Sequence, residues 1–218
     1  MIKVLNRVNL GCGMTPTYGW SNFDNSLSVR ASKLPLHMIA FAHRFGIIND
    51  PTLKYIYFCR EHDIEYCDAT KKIPRDDNSI EVLYSSHMLE HLDRQEAGDF
   101  LREAFRVLAS KGIIRIAVPG VSAKINKYLS DGDADQLIES LRTCNGKPRS
   151  WLDRLRLAIV GPRHHHWMYD EKSLCRLLEK AGFHDAKALP AGETMILSPG
   201  NLNLAERAEE SIFVEAVK

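Results

Sequence analysis

The sequence lacks the features that define several classes of protein. It contains no run of about 18 apolar residues, the minimum for a membrane-spanning helix. It has no clear basic excess of the kind that nucleic-acid-binding proteins carry, because 29 lysines and arginines stand against 28 aspartates and glutamates. No secretory leader precedes its first motif. We therefore expect no transmembrane segment and no nucleic-acid partner.

Paired cysteine motifs are absent as well. The five cysteines are odd in number and share no C-x-x-C spacing, so they do not indicate a disulfide framework. Unpaired thiols are typical of a reducing compartment, and we expect a cytoplasmic protein. The cysteines are Cys12, Cys59, Cys67, Cys144 and Cys175.

What the sequence does contain is an alternation of short apolar strands and amphipathic helices. Its 218 residues, 44% of them apolar and 26% charged, fit one globular domain spanning 1–218. The alternation predicts an α/β fold with a mostly parallel, seven-stranded sheet flanked by helices. The strand candidates are Val4–Leu10, Trp20–Phe23, Ile64–Cys67, Ile80–Tyr84, Gly112–Val118, Ala186–Leu189 and Ser211–Val217.

Two segments, about 27–60 and 121–163, are predicted to be helical insertions in this domain. The first contains an apolar-rich stretch that predicts a helix beginning near Pro35. Two further helices are predicted over His87–Leu108 and Asp170–Ala181, because apolar residues recur on one helical face in each.

Residues suited to a nucleoside-like ligand follow four of the predicted strands. In an open parallel sheet, ligands bind outside the carboxyl ends of the strands. The first strand enters Gly11-Cys12-Gly13, where missing side chains let backbone N–H groups approach a ligand. Asp24 and Asp68 end the next two strands and can accept hydrogen bonds from ribose hydroxyls and an exocyclic amine. Ser85-Ser86-His87 ends the fourth. The alternative is that each acid is a turn or helix-cap residue.

These residues lie within a longer pattern of motifs along the chain. The motifs are Val8–Gly13, Gly19–Asp24, Tyr66–Ala69, His87–Leu92, Glu103–Leu108 and Met168–Phe183. The pattern resembles the class I S-adenosylmethionine-dependent methyltransferases over more than half of the chain, with the two insertions outside it. The motif Gly19–Asp24 looks like a branch with a shortened opening that is linked to cell-surface polysaccharide pathways.

The resemblance implies a Rossmann-like fold and S-adenosylmethionine as cofactor. It also implies that each strand end contacts a different part of the cofactor. The glycine loop would contact the aminoacyl part, Asp24 the ribose, and Asp68 the adenine. The implied cofactor-binding residues are Asn9, Gly11, Cys12, Gly13, Asp24, Asp68, Ala69, Ser86 and His87.

Two departures from the family pattern concern the start of the domain. The acid that usually precedes the glycine loop is replaced by Asn9, so no negative charge is available there. Only 11 positions separate Gly13 from Asp24, too few for a full strand–helix–strand crossover. The first helix is therefore predicted to be a stub.

Two histidines are candidate catalytic bases. If the methyl acceptor is a hydroxyl, a general base must take its proton, and His87 and His166 are the candidates. If the acceptor is an amine or carboxylate, neither is required. Adjacent histidines cannot all face one ion, so the triplet His164–His166 does not indicate a metal site, and we expect no bound metal.

Three other functions are alternatives to that of a methyltransferase, and the sequence disfavours the first of them. A dinucleotide-dependent dehydrogenase would need a third glycine where Pro16 stands. The segment 87–91 fits H-x-x-E-H, which in a zinc hydrolase places two imidazoles on one face of a helix. A catalytically silent protein that binds the same cofactor is the alternative within the family.

The insertions are predicted to select the acceptor. Residues 142–166 hold six lysines and arginines against one aspartate, a local charge of +5. This segment is either a solvated basic face or a site for an anionic acceptor, since arginine matches phosphate geometry. We expect a small-molecule or saccharide acceptor, with or without a phosphate group. The stretch Leu34–Phe45 is predicted to be a lid over the acceptor or a homodimer contact.

Overall fold

The computed structural model describes residues 6–143 and 164–218 and contains a seven-stranded sheet. The strand order is β3-β2-β1-β4-β5-β7-β6, with β1 to β5 parallel and β7 antiparallel to both β5 and β6. This confirms the predicted Rossmann-like α/β fold. The strands are β1 Arg7–Leu10, β2 Ser21–Asp24, β3 Glu65–Tyr66, β4 Ile80–Ser86, β5 Leu108–Pro119, β6 His184–Leu189 and β7 Ser211–Val217.

Helices connect the strands, and three of them lie between β2 and β3, where the first insertion is predicted. Two more follow β5, in the described part of the second insertion. The helices are α1 Leu27–Ala31, α2 Leu36–Arg44, α3 Asp50–Glu61, α4 Arg94–Val107, α5 Val121–Asp131, α6 Ala134–Leu141 and α7 Glu171–Lys180. Most of the basic segment 142–166 lies outside the described residues.

The helix predicted over about His87–Leu108 starts seven residues later than predicted and ends within one residue of the prediction. Asp93 accepts hydrogen bonds from the backbone of Gln95 and Glu96, and the Glu96 side chain accepts one from the backbone of Asp93. This capping box starts α4 at Arg94, because it supplies the partners that a helix N-terminus needs. The preceding residues form only a 3₁₀ turn, Leu89–His91, and Leu108 already belongs to β5.

The predicted helical stub between β1 and β2 is also wrong. Residues 11–20 form turns and contain no helix. The chain nevertheless passes from β1 to its parallel neighbour β2, with Leu10 paired to Phe23. A parallel connection this short needs other contacts to hold it, and these are described below.

The core lies between one face of the sheet and helices α4 and α7. Phe100 and Leu101 of α4 and Leu174 of α7 are fully buried against Val8 and Ile116 of the sheet. The opposite face of β4 and β5 is covered by the segment 190–210, which contributes Ile196 and Leu202 to a second cluster. The central strands β4 and β5 are therefore buried on both faces, as central strands of a parallel sheet require.

A buried ion pair fastens the segment 190–210 to the sheet. Arg115 of β5 and Glu215 of β7 are fully buried, and their side chains meet at 2.5 Å. Arg115 also donates to the carbonyls of Glu193 and Leu204. Glu215 accepts hydrogen bonds from the Thr194 hydroxyl and the Met195 backbone. Both charges are thus compensated by hydrogen bonds from the covering segment.

Helix α2 is amphipathic but presents apolar residues to solvent. Phe41 is 59% exposed and Phe45 64% exposed, and their rings contact each other. Its role as a lid or dimer contact remains a prediction. Among the helices of the described residues, none has the length and apolarity needed to cross a membrane.

Replacing Glu215 by alanine should lower the free energy of unfolding by about 3–5 kcal/mol, because the Arg115 charge would remain buried without its partner. Chemical denaturation measures this. Glu193→Ala is the matched control, since that side chain is exposed and only its backbone contacts Arg115. Equal stabilities of the two variants would contradict the role given to the ion pair.

Candidate functional site

The loop between β1 and β2 is held by two asparagine side chains. The Asn9 amide donates to the Thr15 carbonyl and to the Thr17 hydroxyl, each at 3.2 Å. The Asn22 amide accepts from the Thr17 backbone N–H at 2.7 Å and donates to the carbonyls of Thr17 and Trp20 at 3.0 Å. These bonds replace the backbone bonds that a helix would have supplied.

These contacts explain why Asn9 stands where the methyltransferases that the sequence resembles usually have an acid. Asn9 lies in β1 with 1% of its surface exposed, and the site calls for two N–H donors. A carboxylate at this position could only accept hydrogen bonds and would face the Thr15 carbonyl. An asparagine therefore supplies the hydrogen bonds that hold the loop, whereas an aspartate would repel the Thr15 carbonyl.

Gly11 and Gly13 are required for different reasons. Gly11 has a φ of +69°, and a Cβ there would lie 2.9 Å from the side chain of Met88. Gly13 has a φ of +49° and no atom within 4 Å of where a Cβ would stand. The space beside Gly13 is therefore open, and its backbone is accessible to a ligand.

Asp24 is positioned by backbone hydrogen bonds at the end of β2. Its two oxygens accept one bond each, from the N–H of Gly13 at 3.2 Å and from the N–H of Ser26 at 2.8 Å. A carboxylate offers about four lone-pair sites, so two remain for the hydroxyls of a ribose. Asp24 can therefore connect the glycine loop to a bound nucleoside.

Asp68 lies two residues beyond β3, and its carboxylate has internal partners. It accepts from the Thr70 hydroxyl at 2.7 Å and pairs with Lys71 at 2.9 Å. Partial burial acts to raise the pKa of Asp68, but these contacts outweigh it and the pKa lies below its usual value. Lys71 is 82% exposed and can move away. Both the ligand and the turn-residue interpretation of Asp68 remain compatible with the geometry.

The register of the sheet brings the strand ends together. Leu10 pairs with Phe23 on one side and with Ser85 on the other. The next residues, Gly11, Asp24 and Ser86, therefore share one edge. Neighbouring strands are about 4.8 Å apart, so Asp24 and Ser86 lie about 10 Å apart across β1, a distance that a nucleoside spans.

Unsatisfied polar atoms at this edge agree with a ligand site. Asn9 Oδ1 and Ser85 Oγ are buried and lack hydrogen-bond partners among the described residues. Buried polar atoms are nearly always paired in folded proteins, so such atoms point to a missing partner. Ala69, also predicted at the site, is 6% exposed beside Asp68, and Cys12 is buried with its sulfur against the Val29 cluster.

Burial makes Cys12 an unreactive thiol. Desolvation raises its pKa far above the usual range, and the nearby Asp24 charge raises it further. Its backbone N–H donates to the Phe23 carbonyl at 3.0 Å, so Cys12 positions the glycine loop through its main chain. The described cysteines, Cys12, Cys59, Cys67 and Cys175, are all free, as predicted, and Cys144 lies outside the described residues.

The two predicted histidines are brought to a common neighbour, Glu90. His87 follows β4 with a φ of +49°, and its ring lies between Ser211 Oγ at 2.8 Å and Glu90 Oε1 at 3.3 Å. His166 is exposed, its ring stacks on His164, and its backbone N–H donates to the Glu90 carbonyl at 2.8 Å. His87 is the more firmly oriented of the two.

Part of the chain is similar to a known protein family. Residues 9–116, just under half of the chain, match the family described as methyltransferase domain. This segment is therefore similar to methyltransferase domains. The match supports S-adenosylmethionine as the cofactor. The matched segment includes every predicted cofactor-binding residue. No curated protein matches the sequence.

Solved structures of methyltransferases are similar over nearly the whole chain. A Methanosarcina mazei S-adenosylmethionine-dependent methyltransferase is 15% identical with a TM-score of 0.51, and 98% of this chain covers 92% of that one. An Archaeoglobus fulgidus methyltransferase is 16% identical with a TM-score of 0.47 over 98% and 86% of the two chains. Phosphoethanolamine N-methyltransferase 2 of Haemonchus contortus is 12% identical with a TM-score of 0.48 over 98% and 48%.

Two residues of the candidate site were not predicted from the sequence. Asn22 was recognised only as part of a motif, although its position two residues before Asp24 is a usable signal. Glu206 accepts from the Thr15 hydroxyl at 3.0 Å and from the Tyr84 hydroxyl at 2.9 Å, and so ties the loop to β4. This contact joins residues far apart in sequence, and no local pattern indicates it.

Replacing Asn9 by aspartate should weaken binding of S-adenosylhomocysteine by about tenfold, because the loop loses two donors and gains a repelled charge. Isothermal titration calorimetry measures the affinity. Asn126→Asp makes the same change on the exposed surface of α5 and should leave the affinity unchanged. Wild-type affinity in Asn9→Asp would show that the loop does not depend on the amide.

Proposed function

We propose that the protein transfers a methyl group from S-adenosylmethionine to a hydroxyl of a small saccharide-type acceptor. The observation that carries the proposal is the common edge formed by Gly11, Asp24 and Ser86, with Gly13 bonded to Asp24, in a segment that matches methyltransferase domains. S-adenosylmethionine supplies a methyl group already activated by its sulfonium. The protein must then bind, align and desolvate the two reactants.

In the proposed binding mode, the aminoacyl end of the cofactor lies in the open space at Gly13. The ribose hydroxyls donate to the free lone pairs of Asp24, and the adenine lies against Asp68 and Ala69. The buried Asn9 Oδ1 and Ser85 Oγ are the polar atoms that the ligand or its water shell would satisfy.

His87 is the proposed general base for a hydroxyl acceptor. As the methyl group moves from sulfur to the acceptor oxygen, the proton of that hydroxyl passes to the His87 ring. Glu90 lies on the Nδ1 side of the ring, so it orients the imidazole. The side chain is 10% exposed, and it can reach an acceptor only if the ring leaves Ser211.

A cleft next to Ser211 is the proposed acceptor site. It has a volume of about 330 Å³ between α5, α6 and the residues before β7. Glu210 lines it and directly precedes Ser211, which contacts His87. Two lysines and four carboxylates face the cleft, together with Tyr128, Gln136 and Ser140. This lining suits the hydroxyls of a neutral saccharide better than a phosphate group.

The structure does not provide the helix that the zinc-hydrolase alternative requires. It requires His87 and His91 on one face of a helix, but His87 lies in the left-handed region and the 3₁₀ turn begins at Leu89. The ring of His87 is directed to Ser211 and Glu90. We therefore do not propose a peptidase or hydrolase activity.

Replacing Asp24 or Asp68 by alanine should weaken binding of S-adenosylhomocysteine by about 1–3 kcal/mol, because polar groups of the ligand lose their partners. Calorimetry measures the loss. Asp76→Ala is the control, since that acid is exposed near the opposite, amino edge of the sheet. The proposed binding mode is refuted if both variants retain the wild-type affinity.

Replacing His87 by glutamine should lower kcat by about 100-fold while leaving the affinity for S-adenosylhomocysteine unchanged, because only proton removal is affected. Screening glycans and nucleotide sugars for S-adenosylhomocysteine formation supplies the acceptor. His184→Gln, an exposed and distant histidine, is the control. A protein that binds the cofactor but methylates no acceptor in the screen would favour the silent-binder alternative, and an unchanged kcat would exclude His87 as the base.

A further inference from the structure

Glu90 is a buried carboxylate without adequate compensation. Its side chain is 1% exposed, and neither oxygen has a hydrogen-bond partner in the described part of the chain. The ring of His87, with Nδ1 at 3.3 Å, is near one oxygen. Burying an ionised carboxylate is costly unless a cation or several donors face it. The position of Glu90 therefore calls for a further positive group.

Two neighbouring histidines each present a free ring nitrogen. Nδ1 of His91 lies 3.1 Å from the carbonyl of His164. A carbonyl can only accept, so this nitrogen carries the proton and Nε2 keeps its lone pair. His165 is 6% exposed, and its Nδ1 is buried without a partner among the described residues. A histidine that ligates a metal characteristically donates its other N–H to a backbone carbonyl, as His91 does here.

The surroundings of the His165 ring affect its pKa in opposing directions. Burial lowers the pKa of His165, although the Glu90 charge acts to raise it. A hydrogen bond to the backbone of Leu141 also engages the ring. A histidine ligates a metal through the lone pair of a neutral ring nitrogen.

The three side chains converge on one point. A ligand atom from each of Glu90, His91 and His165 lies within 4.8 Å of the other two. A tetrahedral zinc ion with bonds of about 2.0–2.1 Å holds its ligand atoms about 3.4 Å apart. Small side-chain rotations close this difference. We propose that Glu90, His91 and His165 form a binding site for a zinc-like divalent transition-metal ion.

The donor set selects the class of metal. Two imidazole nitrogens and one carboxylate oxygen suit zinc and similar transition metals, whereas magnesium and calcium prefer ligands made only of oxygen. Three protein ligands leave a fourth position for water or another group. One oxygen of Glu90 can bind the ion while the other stays near His87 Nδ1.

The site connects two segments that already contact each other. The Glu90 carbonyl accepts from the backbone N–H groups of His166 and Trp167 at 2.8 and 3.2 Å. A metal bound to His91 and His165 would cross-link the turn after β4 to the segment that leads into α7, beside His87. The sequence pattern H-x-x-E-H pairs the wrong histidines, since His87 lies against Ser211 and His165 is remote in sequence. The expectation of no metal treated the triplet His164–His166 by itself and did not combine His165 with Glu90 and His91.

Zinc titration of tag-free, metal-stripped protein tests the proposal without any methyl donor or acceptor. Calorimetry should find one zinc ion per chain, and zinc should raise the melting temperature. Glu90→Gln, His91→Gln and His165→Gln should each weaken zinc affinity by more than about tenfold. His166→Gln, an exposed neighbour in the same segment, should bind zinc like the wild type.

The outcomes separate metal binding from misfolding and from the methyltransferase proposal. Circular dichroism of the metal-free proteins shows whether each variant folds, and Glu90→Gln preserves the shape of the side chain. No stoichiometric zinc binding by folded wild-type protein would overturn the site, as would undiminished affinity in the folded Glu90→Gln and His165→Gln variants. Binding of S-adenosylhomocysteine is measured separately, so either proposal can fail while the other stands.

Discussion

The amides of Asn9 and Asn22 hold the loop on which the candidate cofactor site depends. Ten residues carry the chain from β1 to the parallel strand β2, and none of them is helical. A parallel connection usually uses a dozen or more residues and a helix, whose backbone bonds satisfy one another. Here the two side chains supply those bonds. They fix Gly13 where its N–H meets Asp24, at the edge of the sheet proposed to hold the cofactor.

Glu90 organises the other half of the site. Its backbone carbonyl accepts hydrogen bonds from the N–H groups of His166 and Trp167, and its carboxylate lies beside His87. The candidate base and the proposed metal ligands are therefore parts of one buried cluster at the end of β4. The acceptor cleft adjoins it through Ser211. Proton removal and the placement of the segment 164–167 would then depend on the same carboxylate.

The strands and the fold could be predicted because local signals agree with tertiary packing. Apolar runs such as Ile80–Ser86 are buried between two faces, and glycine and acidic residues mark where they end. The helix start at Arg94 was missed because the apolar pattern begins earlier than the capping box at Asp93 permits. Periodicity reports which residues can face a core, whereas capping decides where the helix begins.

The contacts that complete the site are long-range, and one sequence does not encode them in a readable pattern. Glu206 joins Thr15 and Tyr84, and His165 approaches His91, across separations that no local motif spans. The role of Asn9 was also hidden. Its difference from the family's acid looked like a lost function, but the structure shows two donors that the shortened loop requires.

A crystal structure of the complex with S-adenosylhomocysteine tests this account most directly. The account predicts the aminoacyl end at Gly13, the ribose on Asp24 and the adenine beside Asp68 and Ala69. It also predicts that the Asn9 amide still contacts Thr15 and Thr17 in a helix-free loop. A ligand bound away from this edge, or a loop refolded into a helix, would contradict it.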